Sequence, residues 1–202
     1  MSSELIEMTV PQQEHPNWCW AATTVAIAHF YNPPTDPKDE IKQCDVVNRR
    51  LKRCDCCVDQ KDDLPWQCNV QSGLTLPLFE EGHHVVTYAN QLDFETIESE
   101  VNQDRPVCCR VVWEEGFGEG HFVVIVGVIR DEDEHFTDVV VEDSIHRRSV
   151  HTYEAFRRFY RVPVQTDVGD DPAEGLWTHS YFTQQAENAT DEEAPDEPAQ
   201  VT

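Results

Sequence analysis

The chain has 202 residues, a formal net charge of −24 and a sequence pI of about 4.5. That length fits one domain of moderate size with a short tail. A surface this acidic repels nucleic-acid phosphate and anionic lipid headgroups, so neither is an expected partner. Lysine is scarce and arginine carries most of the positive charge. Two readings of the acidity stand side by side. One is halophilic adaptation, because a Debye length of ~3 Å at molar salt screens the self-repulsion of the compact state. The other is plain solubility with an acidic tail. Met1 to Val10 carries no basic stretch followed by an apolar run, so no secretory signal is read there. The longest apolar run, Phe122 to Ile129, is too short to span a bilayer, and no membrane insertion is expected. The default location is therefore cytoplasmic, with export by an unrecognised route left open.

The first element is a helix from Trp18 to Phe30. Asn17 suits the N-cap, since its side-chain oxygen can accept from first-turn amides, and Pro16 favours an extended entry. Trp18, Ala22, Val25 and Ala26 share one face, and Trp20, Ile27 and Phe30 make the helix apolar nearly all round, as in a core helix. Asn32-Pro33-Pro34 ends it. Cys19 falls in the first turn, where unpaired amides and the helix dipole favour a thiolate. Read alone, it is equally a small buried hydrophobe.

Asp36-Pro37 signals a second helix start, with Ile41, Cys44, Val47 and Leu51 on one face. A run of cysteines follows: Cys54, Cys56, Cys57 and Cys68, with Cys44 upstream. Disulfides, a thiolate zinc site and reduced thiols all remain open, because the CxCC spacing lacks paired zinc knuckles and no export signal argues for oxidation. A short helix is expected over Leu74 to Glu81, a strand over His83 to Tyr88, and an amphipathic helix over Asp93 to Val101 with Phe94, Ile97 and Val101 inward.

From there the pattern becomes strand-like. Val107 to Trp113 is rich in strand formers. Gly116, Gly118 and Gly120 mark a loop, and His121 to Ile129 reads as a strand buried on both faces. Asp131 to Glu134 is an acidic turn, and Asp138 to Asp143 is the next strand. Tyr153 to Tyr160 suits a short helix, amid Arg147, Arg148, Arg157, Arg158 and Arg161, which are expected to pair with surface carboxylates. Leu176 to Phe182 is the closing strand, and residues 183–202 are polar, acidic and proline-containing, the composition of a disordered tail. Helices first and strands after them predict an α+β fold: a helical lobe, then a mostly antiparallel sheet. The boundaries expected are an extension over 1–9, one domain over 10–182 and the tail.

Gln13…Cys19-Trp20-Ala21-Ala22 resembles the nucleophile segment of papain-like cysteine peptidases, most closely the bacterial branch that includes secreted effector proteases and bacteriocin-leader peptidases. That family places a Gln six residues before the Cys and a Trp directly after it, and Gln13 and Trp20 match. Asn17-Trp18 stands where plant and lysosomal members have Gly-Ser. Cys44, Cys56-Cys57 and Cys68-Asn69 are likewise similar to a cysteine pattern of the bacterial branch. Gly120-His121-Phe122-Val123-Val124 resembles the family's histidine motif, and Asp at a strand end, as in Val141-Glu142-Asp143-Ser144, is common in that branch where papain has Asn. The resemblance implies a papain-like fold with its cleft between the lobes.

The chemistry implied needs a nucleophile, a base that is also an acid, a group to orient the base and an oxyanion donor. Cys19, His121, Asp143 and Gln13 are the candidates in that order, with the Cys19 backbone amide as second oxyanion donor. Glu142 should face away from Asp143 by strand alternation. His83 and His84 are competing bases, ranked behind His121 because no acidic strand end follows them. The reaction requires no metal and no cofactor, and the expected partner is a peptide or protein substrate. Because Gln13 lies so near Met1, no folded pro-segment is expected ahead of it. Deamidation and acyl transfer use the same groups as peptide hydrolysis, and a non-catalytic cysteine-rich interaction or metal-binding module is the remaining alternative. Substrate preference and oligomeric state are not written in the residue pattern.

Overall fold

The computed structural model describes residues 2–113, 120–131, 137–161 and 174–186. Strand β1 (Ser2–Leu5) opens the chain. Beyond it Ile6, Met8 and Val10 alternate into the core while Glu7 and Thr9 stay exposed, the period-two pattern of a half-buried extended chain. The segment expected as an extension thus supplies a strand and core side chains.

Helix α1 (Cys19–Tyr31) is buried at every position from Cys19 to Ala28, which is why its sequence is apolar all round. It starts differently from the expectation. Trp18 occupies the cap position with no side-chain cap bond. Asn17 turns instead to the segment after the cysteines: its backbone N–H donates to Asn69 Oδ1 (3.2 Å) and its Nδ2 to Asn69 O (2.9 Å). Trp18 Nε1 donates to Cys68 O and Trp20 Nε1 to Val70 O. Tertiary bonding therefore takes over the work assigned to a local cap.

Helix α2 (Gln43–Leu51) begins well after the Asp36-Pro37 signal. Asp36 Oδ1 accepts from Lys38 N–H, a side-chain turn that competes with helix. Asp45 closes the real start by accepting from Lys42 N–H. Two disulfides, Cys44–Cys57 and Cys56–Cys68, staple α2 and the following loop, and Cys54 is an exposed free thiol. Helix α3 (Thr75–Glu80) carries Pro77 in its first turn, where a missing N–H costs little. Strand β2 (His84–Tyr88) and helix α4 (Phe94–Val101) follow, the latter capped by Asp93, which accepts from Thr96 N–H at 2.7 Å. Phe94, Ile97 and Val101 are buried.

The sheet is then laid down by β3 (Val107–Trp113), β4 (Gly120–Arg130), β5 (Thr137–Asp143), β6 (Ser149–Thr152), helix α5 (Tyr153–Arg158), β7 (Tyr160–Arg161) and β8 (Glu174–Thr183). Among the described residues eight strands join in the order β2-β8-β3-β4-β5-β6, with β1 on β4 and β7 on β8, every pairing antiparallel. The mixed helices and antiparallel sheet are the expected α+β arrangement.

Strand β4 is the axis. β5 pairs along it on one side, while β3 takes its first half and β1 its second half on the other. Gly127 allows β1 to approach, since a Cβ there would sit 2.8 Å from Glu4 O. Thr183 belongs to β8 rather than to the tail. Gly116, Gly118, residues 132–134 of the acidic turn and residues 187–202 lie outside the described residues. No helix among the described residues is long and apolar enough to cross a membrane.

Candidate active site

Three elements end or begin at one place. Cys19 is the first residue of α1, His121 the second of β4, and Asp143 the last of β5. The β4–β5 register sets Val123 opposite Asp143, so His121 is the diagonal neighbour on the same face, within reach of a long side chain. His121 Nε2 lies 2.9 Å from Asp143 Oδ1. Cys19 lies close enough for its charge to act on the same ring. All three residues are buried: Cys19 keeps 6% exposure, His121 4% and Asp143 none.

Asp143 is fully satisfied. Oδ1 also accepts from Ile145 N–H (2.6 Å) and His146 N–H (3.1 Å), and Oδ2 accepts from Tyr160 O–H (2.7 Å). Burial opposes the charge, but the His121 bond and charge, the Ile145 amide and the Tyr160 hydroxyl overcome it and hold the carboxyl down to about 2. The same balance runs in reverse on His121. Burial favours the neutral ring, yet the Asp143 and Cys19 hydrogen bonds and charges push it up to about 10. Trp113 stacks over the imidazole, ring centroids 6.1 Å apart at 22°.

Gln13 lies on the loop before α1. Its Nε2 donates to His15 O (3.0 Å) and Pro16 O (2.7 Å), so the amide that was expected to serve an oxyanion is occupied by its own loop. Ser144 holds it from behind. Ser144 Oγ donates to Gln13 Oε1 and Ser144 O accepts from Gln13 N–H. Gln43 of α2 grips the same loop, accepting from Glu14 N–H and donating to Gln12 O. Glu142 faces away from Asp143 as expected, buried against Arg148, and accepts from Val10 N–H while Arg148 donates to Met8 O. Three consecutive residues at the end of β5 thus fasten the N-terminal segment, the histidine and the glutamine. A groove of about 280 Å³ runs past Gln13 and Ser144, walled by His15, Pro16 and Ile145. A larger hollow of about 530 Å³ beside the C-terminal half of α1 includes none of Gln13, Cys19, His121 or Asp143.

His83 sits elsewhere, buried and stacked on Tyr31, with Nδ1 on Gln184 O and Nε2 near Asn32 Nδ2. Burial lowers its pKa. His84 bonds Thr87 Oγ1. Cys108 and Cys109 are buried thiols whose pKa values burial pushes up. Two groups of metal-ligand type, Cys44-Asp45-Cys57 and Asp55-Cys56-Cys68, fall at the disulfides, and a zinc cage there would need those sulfurs reduced. Tyr160, Trp113, Ser144 and Gln43 are the site neighbours that sequence reasoning missed. Only Ser144, next to Asp143, carried a local hint.

A helical lobe followed by an antiparallel sheet, with a cysteine at a helix start facing a histidine and an aspartate on two strands, is the papain-like architecture. Residues 4–161 match the family described as papain-like cysteine protease AvrRpt2, and the chain belongs to that family. No curated protein matches the chain.

Proposed function

We propose that the protein is a thiol-dependent peptidase acting on a peptide or protein substrate, with Cys19 as nucleophile, His121 as acid and base, and Asp143 as orienter. The observation that carries this reading is the buried His121 Nε2–Asp143 Oδ1 bond of 2.9 Å, with buried Cys19 close enough to act on the same ring. The Cys19 sulfur attacks the scissile carbonyl while His121 carries the proton on Nδ1. As the tetrahedral adduct collapses, that proton passes to the departing amine and a thioester remains. His121 then takes a proton from water, the resulting hydroxide attacks the thioester, and Cys19 is released with the acid product. Asp143 fixes the tautomer with the proton on Nε2 and steadies the ring when charged. The Cys19 backbone amide and Gln13 Nε2 serve the developing oxyanion, Gln13 by giving up one of its two carbonyl partners when substrate arrives.

The test is a set of variants on a casein or fluorogenic peptide substrate. Cys19→Ala and His121→Ala are expected to leave no hydrolysis above background, while His83→Ala keeps the rate. A thiol electrophile should modify Cys19, read by peptide mapping so that exposed Cys54 is counted apart. Modification of Cys54 alone, with hydrolysis surviving Cys19→Ala, overturns the assignment.

A further inference from the structure

Behind the dyad lies a second line of side chains. Tyr160 is fully buried, its ring packed on Phe156 (5.5 Å between centroids), His151 (5.1 Å) and Trp113 (6.2 Å). Its hydroxyl is 2.7 Å from Asp143 Oδ2, and Ser149 lies near it. Ser149 Oγ in turn lies 2.8 Å from His151 Nε2.

The direction of the Tyr160–Asp143 bond follows from its chemistry. An ionised Asp143 only accepts, and Tyr160 has one proton to give it. Burial first, and then the neighbouring Asp143 charge, push the Tyr160 phenol far above its ordinary range, so it remains a donor across the working pH.

We propose that Tyr160 is a positioning residue for this site, whose hydroxyl occupies Asp143 Oδ2 and leaves Oδ1 to hold His121. This rests on the peptidase reading above for its effect on turnover, but not for its effect on the dyad. A buried carboxylate with one free oxygen can rotate about its terminal bond, and the imidazole it holds then loses its alignment with Cys19. With Oδ2 pinned by Tyr160 and Oδ1 also pinned by the Ile145 and His146 amides, Asp143 has one orientation.

The test compares wild type with Tyr160→Phe, which keeps the ring and removes only the hydroxyl. Two readouts are used. The first is kcat and KM on a peptide substrate, where kcat is expected to fall roughly tenfold, the scale of one hydrogen bond to a charged group, with KM within about twofold. The second is the nitrogen-bound proton of His121 Nε2 in NMR spectra of the histidine-labelled full chain. In wild type it should be a downfield, slowly exchanging resonance, and in Tyr160→Phe it should move or broaden into solvent exchange. Should Tyr160→Phe fail to fold, 3-fluorotyrosine at position 160 keeps the ring and hydroxyl but makes the donor more acidic, and it should move the His121 resonance. Should wild type hydrolyse no peptide, the peptidase reading falls and the His121 resonance alone decides the positioning role. An unchanged resonance and unchanged kcat in both variants overturn the proposal.

Discussion

At the scale of single residues, the His121–Asp143 pair predicts how the protein responds to pH. The ring is pushed up to about 10 from an ordinary 6.5, so its contribution to stability is complete below 6.5 and is lost as pH rises through about 10. The carboxyl is held down to about 2 from an ordinary 3.8, so its contribution is present above 3.8 and is lost as pH falls through about 2. The dyad therefore supports the fold most between those ordinary values, and an imidazolium survives well into alkaline solution. In Asp143→Asn the raising influence of the carboxylate is gone while burial still favours the neutral ring. The alkaline limb of the rate of hydrolysis should then move to lower pH, and the rate at the optimum should fall roughly 10–100-fold, less than on loss of Cys19 or His121, because the amide oxygen can still accept from Nε2. A limb that stays in place in this variant rules out Asp143 as the group that charges the ring. Cys19, His121 and Asp143 were legible because each carries a local mark: a helix start, a strand start after glycine, a strand end. Tyr160, the Ser144 bonds of Gln13 and the Asn69 bonds of Asn17 were not. Their partners lie far along the chain, and no local rule for caps or turns reaches that distance.

At the scale of elements, the turn that carries Cys19 is held by a segment with little regular structure of its own. Residues 68–70 receive the indole N–H of Trp18 and Trp20 and the amide of Asn17, and Cys56–Cys68 ties that segment down. Cys44–Cys57 closes a loop of similar length but fastens α2 instead. The chain-entropy argument gives each bridge about 3 kcal/mol by constraining the unfolded state. Removing either pair by Cys→Ala should therefore lower stability by a comparable amount in denaturant titration. Activity should separate them: Cys56→Ala with Cys68→Ala should lose most of the turnover, and Cys44→Ala with Cys57→Ala should keep most of it under conditions where both are folded. Equal loss from the two pairs counts against the 68–70 clamp. Among elements, β3 and α4 were read closely because branched runs and an Asp cap mark them. Helix α2 began later than its apparent signal because Asp36 spends its side chain on a turn. β6 and β7 escaped notice because they are short and partly polar, and a short edge strand is recognised by its partner more than by its own pattern.

At the scale of the whole molecule, the acidic composition bears on how the protein responds to salt. The local ion pairs are ordinary: Arg105 with Glu100, Arg130 with Glu98, Arg148 with Glu142 and Arg157 with Glu154. They meet the expectation that the arginines at 148 and 157 would find carboxylates, while Arg147 bonds Gln12. Even with every cation paired, the sequence keeps a formal excess of 24 negative charges. Like charges repel one another, over ~30 Å at 0.01 M salt but only ~3 Å at 1 M. Adaptation to high salt therefore predicts a melting temperature that climbs with KCl. A relief of about 2 kcal/mol corresponds to roughly 4–8 °C for a domain of this size. Screening is nearly complete by about 1 M, so a rise confined to lower concentrations reports relief of self-repulsion, and a rise that continues beyond it requires salt to act on hydration or on burial as well. A melting temperature that stays flat from 0.05 to about 1 M leaves solubility as the remaining reason for the acidic surface, because charges that do not strain the fold have nothing for salt to relieve.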